Sequence, residues 1–138
     1  MGVILDTSVL VAGERRTIRI EELLRSLGDE PVALAAITAS ELLHGCHRAP
    51  EPGLRARRSA FVEGVLGLIP VLPFGLAETR RHSELWATLA QQGAAIGPHD
   101  MLVGATALAS GYSLATLNRR AFSRIPGLRL VPIERFGT

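Results

Sequence analysis

The chain has 138 residues, 47% hydrophobic, 20% charged and 4% aromatic, with a formal net charge of +2. A chain of this length fills one domain and buries roughly two-thirds of its unfolded surface, which excludes disorder and a disulfide-built fold. Its single Cys46 can form no internal bridge, and its 15 Lys-or-Arg residues are all arginine, which excludes P-loop and Schiff-base chemistry.

Val3-Ile4-Leu5 is a short apolar run suited to a strand buried on both faces. Asp6-Thr7-Ser8 follows, and apolar Val9 to Val11 puts a helix start where that strand stops. Ile18 to Leu27 has amphipathic helical spacing ended by Gly28, and Pro31 to Ala36 reads as a second strand. Thr38-Ala39-Ser40-Glu41 opens a helix running to about His47, closed by Pro50 and Pro52. Leu54 to Leu68 is helical, with Arg55, Arg57 and Arg58 on its polar side. Val71 and Leu72, between Pro70 and Pro73, read as a short edge strand.

A helix from Leu76 to Gln92, a loop from Gly93 to Pro98 and a nearly all-apolar helix from Asp100 to Ala109 come next. The chain closes with a strand at Ser113–Leu117, a short turn or helix at Arg119–Arg124 and a last strand at Leu128–Val131. The uncharged run Met101 to Asn118 reaches membrane-span length, but Ser110-Gly111-Tyr112-Ser113 divides it, so it reads as a buried core element. Met1 to Val11 lacks a basic n-region and carries Asp6, unlike a secretory signal. A soluble, cytoplasmic protein with no membrane partner is expected. Short apolar strands alternating with helices predict one domain over residues 1–138, a three-layer α/β/α sandwich around a short, mainly parallel sheet.

In such sheets the functional cleft lies outside the carboxyl ends of the strands. The chain has only three Asp and one Asn, and Asp6, Asp100 and Asn118 all fall at element boundaries where that cleft would lie. Glu41 opens the helix after the second strand. Each residue also has a local reading: Asp6 and Asp100 as helix caps, Glu41 as the partner of Thr38 in a capping box, Asn118 as a turn residue. Read together, they are carboxylates among apolar neighbours, costly to desolvate and mutually repelling, a conflict that a divalent cation removes. All-oxygen ligands point to Mg²⁺ or Mn²⁺, and such a site suits phosphodiester hydrolysis.

The stretches Val3–Leu10, Ile37–Gly45, Ile96–Ala109 and Leu114–Phe122 occur in an order and spacing that resemble the PIN-domain ribonucleases, and within them the VapC-type toxins of bacterial type II toxin–antitoxin systems. The resemblance spans almost the whole chain. It implies that Asp6, Glu41 and Asp100 form an acidic triad around Mg²⁺, for which Mn²⁺ can substitute. Asp6 and Asp100 would be direct ligands, with Glu41 serving water or a second ion. Asn118 falls where relatives carry an acid or Asn, and Thr7, Ser8 and Thr116 would supply supporting hydroxyls. The position before Phe122, often Asp in the family, is Ala121, so the resemblance implies one carboxylate fewer.

The implied activity is metal-dependent endoribonuclease cleavage, leaving 5′-phosphate and 3′-hydroxyl ends, with single-stranded or loop RNA as the substrate class. Arg15, Arg16, Arg119 and Arg120 flank these elements and are expected to hold the RNA backbone, their bland reading being a solvated face. A cognate antitoxin and a homodimer are implied as partners, with Ile18–Leu27 and Leu54–Leu68 as docking faces. A non-catalytic PIN-like module that binds RNA or protein is the alternative. His44, Cys46 and His47 suggest zinc but have no matching second pair. His99 reads as a surface-loop histidine, and no nucleophile elbow surrounds Ser8.

Overall fold

A computed structural model describes all 138 residues. Five strands form one sheet: β1 (Val3–Leu5), β2 (Val32–Ala35), β3 (Val71–Leu72), β4 (Ser113–Ala115) and β5 (Leu130–Val131). Seven helices connect them: α1 (Thr7–Glu14), α2 (Ile20–Ser26), α3 (Ala36–Arg48), α4 (Pro52–Leu68), α5 (Leu76–Gln91), α6 (Pro98–Ser110) and α7 (Arg119–Phe122). A 3₁₀ turn at Glu134–Phe136 ends the chain. The strand order is β3-β2-β1-β4-β5 and every pairing is parallel, as the α/β/α reading requires.

Alternation along the strands sorts the core into two halves. Val3 and Leu5 of β1, Leu34 of β2 and Ala115 of β4 pack with Val9, Leu10, Leu23, Leu42 and Val62 from α1 to α4. Ile4, Ala35 and Leu114 point the other way, onto Leu85, Leu89, Val103, Ala107 and Phe122 from α5 to α7. All three β1 residues are buried, so both faces of the sheet are covered, as parallel sheets demand. No helix is long and apolar enough to cross a membrane.

The connection from β1 leads through α1 and α2 to β2 on one side, whereas β4 leads through α7 to β5 on the other. Right-handed crossovers in opposite directions put their helices on opposite faces and leave a crevice where the order reverses. That reversal lies between β1 and β4, whose carboxyl ends deliver Asp6 and Thr116.

Candidate active site

Asp6 is the residue just beyond β1. Its amide donates to the Ala115 carbonyl at 2.9 Å, extending the β1–β4 pairing by one step, and its carbonyl accepts the amides of Val9 and Leu10. It therefore occupies the N-cap position of α1, yet its side chain caps nothing. The carboxylate, in a residue only 5% exposed, turns instead toward β4. Its Oδ2 accepts the Ser8 hydroxyl at 2.9 Å and the Thr116 hydroxyl at 2.8 Å.

Those hydroxyls are themselves held from behind. Ser8 Oγ accepts the Leu117 amide at 3.0 Å, and Thr116 Oγ1 accepts the Asn118 amide at 2.9 Å. A hydroxyl has one proton to give, and each gives it to Asp6. The 3.4 Å approach of the two hydroxyl oxygens to one another then carries no proton. Asp6 Oδ2 is thus doubly satisfied, while Oδ1 accepts no hydrogen bond from the protein.

Glu41 arrives from α3. The helix begins at Ala36, directly from β2 and with no side-chain cap, so Thr38 lies in its first turn and Glu41 two residues beyond the first turn's end. The capping-box reading of Glu41 fails for that reason. Both its oxygens are engaged across the cleft instead: Thr7 Oγ1 donates to Oε1 at 2.6 Å, and His99 Nδ1 lies 3.1 Å from Oε2. His99 is not in a loop, because α6 starts at Pro98, a residue suited to the first helical position. Its closeness to Glu41 was invisible in the sequence, where 58 positions separate the two.

Asp100 sits in the first turn of α6 and makes no capping bond. Its Oδ2 accepts the Asn118 side-chain amide at 3.2 Å, and Oδ1 is left without a partner in the protein. Partial burial, then the charge of Asp6, then that of Glu41 hold its carboxyl above the ordinary 3.8. The Asn118 hydrogen bond and His99 pull the other way and do not prevail. Three carboxylates from separate elements therefore share one electrostatic environment, as two or more close acids must.

No group of three or more His, Cys, Asp or Glu side chains is gathered so as to hold a metal ion by itself. An open set is what Mg²⁺ takes, since it keeps several waters and needs one or two carboxylates rather than an all-protein cage. The donors fit such an ion on two counts: all are hard oxygens, and Asp6 and Asp100 each retain one oxygen that no protein group satisfies. Cys46, by contrast, is buried with its thiol on the Leu42 carbonyl while His44 and His47 are exposed, so these three share no face.

The arginines separate. Arg15 lines a cleft together with Thr7 and Glu41. Arg16, in a left-handed backbone conformation at φ 60°, lines a different depression with Gly13 and Ile18. Arg119 donates to the Val131 carbonyl at 3.3 Å and lies 3.5 Å from Glu134, so it ties β5 to the C-terminal turn. Arg120 is exposed on α7.

The PIN-domain family model matches residues 3–128. The chain is 37% identical over 134 residues to Ribonuclease VapC1 of Rickettsia felis, covering 97% of this chain and 98% of that protein. It is 31% identical over 104 residues to the tRNA(fMet)-specific endonuclease VapC of Shigella flexneri, covering 75% and 76%. Among solved structures, VapBC2 of Rickettsia felis bound to a promoter DNA fragment superposes with a TM-score of 0.86 at 25% identity, over 95% of this chain and 98% of that one.

Proposed function

This chain belongs to the PIN-domain family and within it to the VapC ribonucleases, and from that premise we propose that it is a Mg²⁺-dependent endoribonuclease, the toxin of a toxin–antitoxin pair. One observation carries the reading beyond family membership. Asp6, Glu41 and Asp100 converge at the switch point of a parallel sheet closely enough that the first and second raise the pKa of the third. Structural carboxylates are normally paired with cations or spent on caps; Asp6 and Asp100 are neither, and Glu41 meets only Thr7 and His99.

Asp6 Oδ1 and Asp100 Oδ1 would hold Mg²⁺, or Mn²⁺ in its place. Bound there, the ion would polarise the scissile phosphodiester and make water a competent nucleophile near neutral pH. Ser8 and Thr116 hold Asp6 by its Oδ2, leaving Oδ1 to meet the ion. Asn118 steers Asp100 in the same way. Glu41, with both oxygens already engaged, orients water from outside the direct ligand set. The family resemblance implies 5′-phosphate and 3′-hydroxyl ends as the products.

Relatives named as tRNA(fMet)-specific endonucleases make structured RNA with accessible loops the first substrate to try. Neighbours solved as VapBC complexes support a cognate antitoxin as partner, and a cytoplasmic homodimer completes the proposal. The test is cleavage of a total RNA pool by purified protein and by Asp100→Asn, each with Mg²⁺, Mn²⁺ or EDTA. Discrete fragments from wild type alone, lost with EDTA, are expected. Intact RNA after incubation with folded, antitoxin-free, metal-supplied wild type would point instead to a binding module.

A further inference from the structure

A cleft of about 430 Å³ runs between α1, α3 and α4, and because Thr7 and Glu41 belong to its lining it is continuous with the acidic site. Phe61 of α4, half-buried, contributes an aromatic ring to it, and Arg15, Arg48 and Arg58 supply positive charge. These cations are not equivalent. Arg58 is committed, 3.6 Å from Glu14 and donating to the Gly45 carbonyl at 3.2 Å. Arg15 and Arg48 are exposed, and neither takes part in a salt bridge. With Glu14 paired to Arg58 and Glu41 engaged by Thr7 and His99, the charge left unanswered in the cleft is positive.

We infer that this cleft seats the single-stranded RNA flanking the scissile bond, with Arg15 and Arg48 on backbone phosphates and Phe61 beneath a base. The inference rests on the nuclease reading and adds the path of the substrate. A phosphodiester brought to three carboxylates is repelled by them, so its neighbours along the strand need cations at the rim. Of the four arginines expected from the sequence to do this, Arg15 lines this cleft beside Glu41's helix, whereas Arg16 lines another depression and Arg119 is held by the Val131 carbonyl and Glu134. Helix α1 spans Thr7–Glu14, ~12 Å at the α-helical rise, so Arg15 stands more than one internucleotide step from the acidic end. Aromatic rings stack any base, which suits a strand held without regard to sequence.

The experiment compares Arg15→Ala/Arg48→Ala with Arg25→Ala/Arg80→Ala, which removes the same charge from exposed arginines on α2 and α5. Binding of a fluorescent single-stranded oligoribonucleotide is titrated across salt concentrations, and cleavage is followed in parallel. The cleft pair should bind more weakly, with the slope of log affinity against log salt reduced by about 1.4, at ~0.7 for each phosphate no longer neutralised. Its KM should rise with kcat nearly unchanged, and the control pair should track wild type. A cleft pair whose slope and KM match the control's overturns the inference. So does one that keeps its RNA affinity but loses the antitoxin, which would give the cleft to a protein segment. Wild type that neither binds nor cleaves RNA removes the nuclease reading and this inference together, whereas a cleaving wild type with an indifferent cleft pair removes only this one.

Discussion

Asp100 carries the conflict of the site in a single side chain. Its carboxyl is held above the ordinary 3.8 by burial first and by Asp6 and Glu41 after it, so the folded protein binds that proton more tightly than the unfolded chain. Its contribution to stability is present below the ordinary pKa and is lost as pH rises through the raised one, leaving a cost at neutral pH. Asp100→Asn should therefore raise Tm in metal-free protein at pH 7, by a margin that shrinks as pH is lowered through the raised pKa. Added Mg²⁺ should raise the wild-type Tm and leave the variant's where it was. Cleavage should fall at least ~10²-fold, since the several kcal/mol a metal supplies correspond to about 1.4 kcal/mol per decade. A variant that melts below wild type without metal would show that the carboxylate is structural. The residue types were legible in the sequence because a chain with three Asp and one Asn places few candidates at strand ends. The state of each oxygen was not, because it depends on hydroxyls of Ser8 and Thr116 that are 108 residues apart.

Among the elements, the short strands have a visible cause. The sequence predicts Ser113–Leu117, yet β4 stops at Ala115, because the amides of Leu117 and Asn118 go to the hydroxyls of Ser8 and Thr116 rather than to a neighbouring strand. The site thus ends the strand that supports it. Helix α6 starts two residues earlier than the apolar periodicity indicates, since Pro98 fits the first turn without an amide to satisfy, and this brings His99 to Glu41. Periodicity reads burial, and the first turn of α6 is largely exposed. Farther along, Gly104 faces Ile125 so closely that a Cβ there would stand 2.5 Å from Ile125 Cδ1 and 3.7 Å from Leu85 Cδ2. Ile125 and Leu85 are both buried, so neither has open space to retreat into. Gly104→Val should cost about 1–3 kcal/mol, read as a lower urea midpoint at unchanged m. An unchanged midpoint would mean that the α5–α6 layer repacks freely.

At the scale of the molecule, one parallel sheet divides two cores, and the acidic cleft opens where its connections change direction. Phe122 ties these features together: it is fully buried in the second core and belongs to α7, the short helix that Asn118 introduces. Phe122→Ala should cost about 3–5 kcal/mol, a large part of the 5–15 kcal/mol that holds a domain of this kind. Urea unfolding followed by circular dichroism and by hydrogen exchange at α6 should lose stability together, because α7 packs on α6. Loss confined to the neighbourhood of α7 would show that the second core is not cooperative with the first.

The sequence by itself determined the kinds and order of elements, the parallel α/β layering and which acidic residues fall at element boundaries. Hydrophobic period, helix and turn residues and a scarcity of acids are all local properties, and they survive being read along a line. The tertiary structure alone decided that Asp6 and Asp100 each keep a free oxygen, that His99 and Thr7 hold Glu41, and that Arg119 braces β5 while Arg15 and Arg48 stand along the cleft that opens at Glu41. Those outcomes follow from strand order, which joins Asp6 to Thr116 across 110 residues, and from the crossovers that bring α3, α4 and α6 around one crevice. Local periodicity says which side of a strand is buried and carries no information about which strand lies beside it.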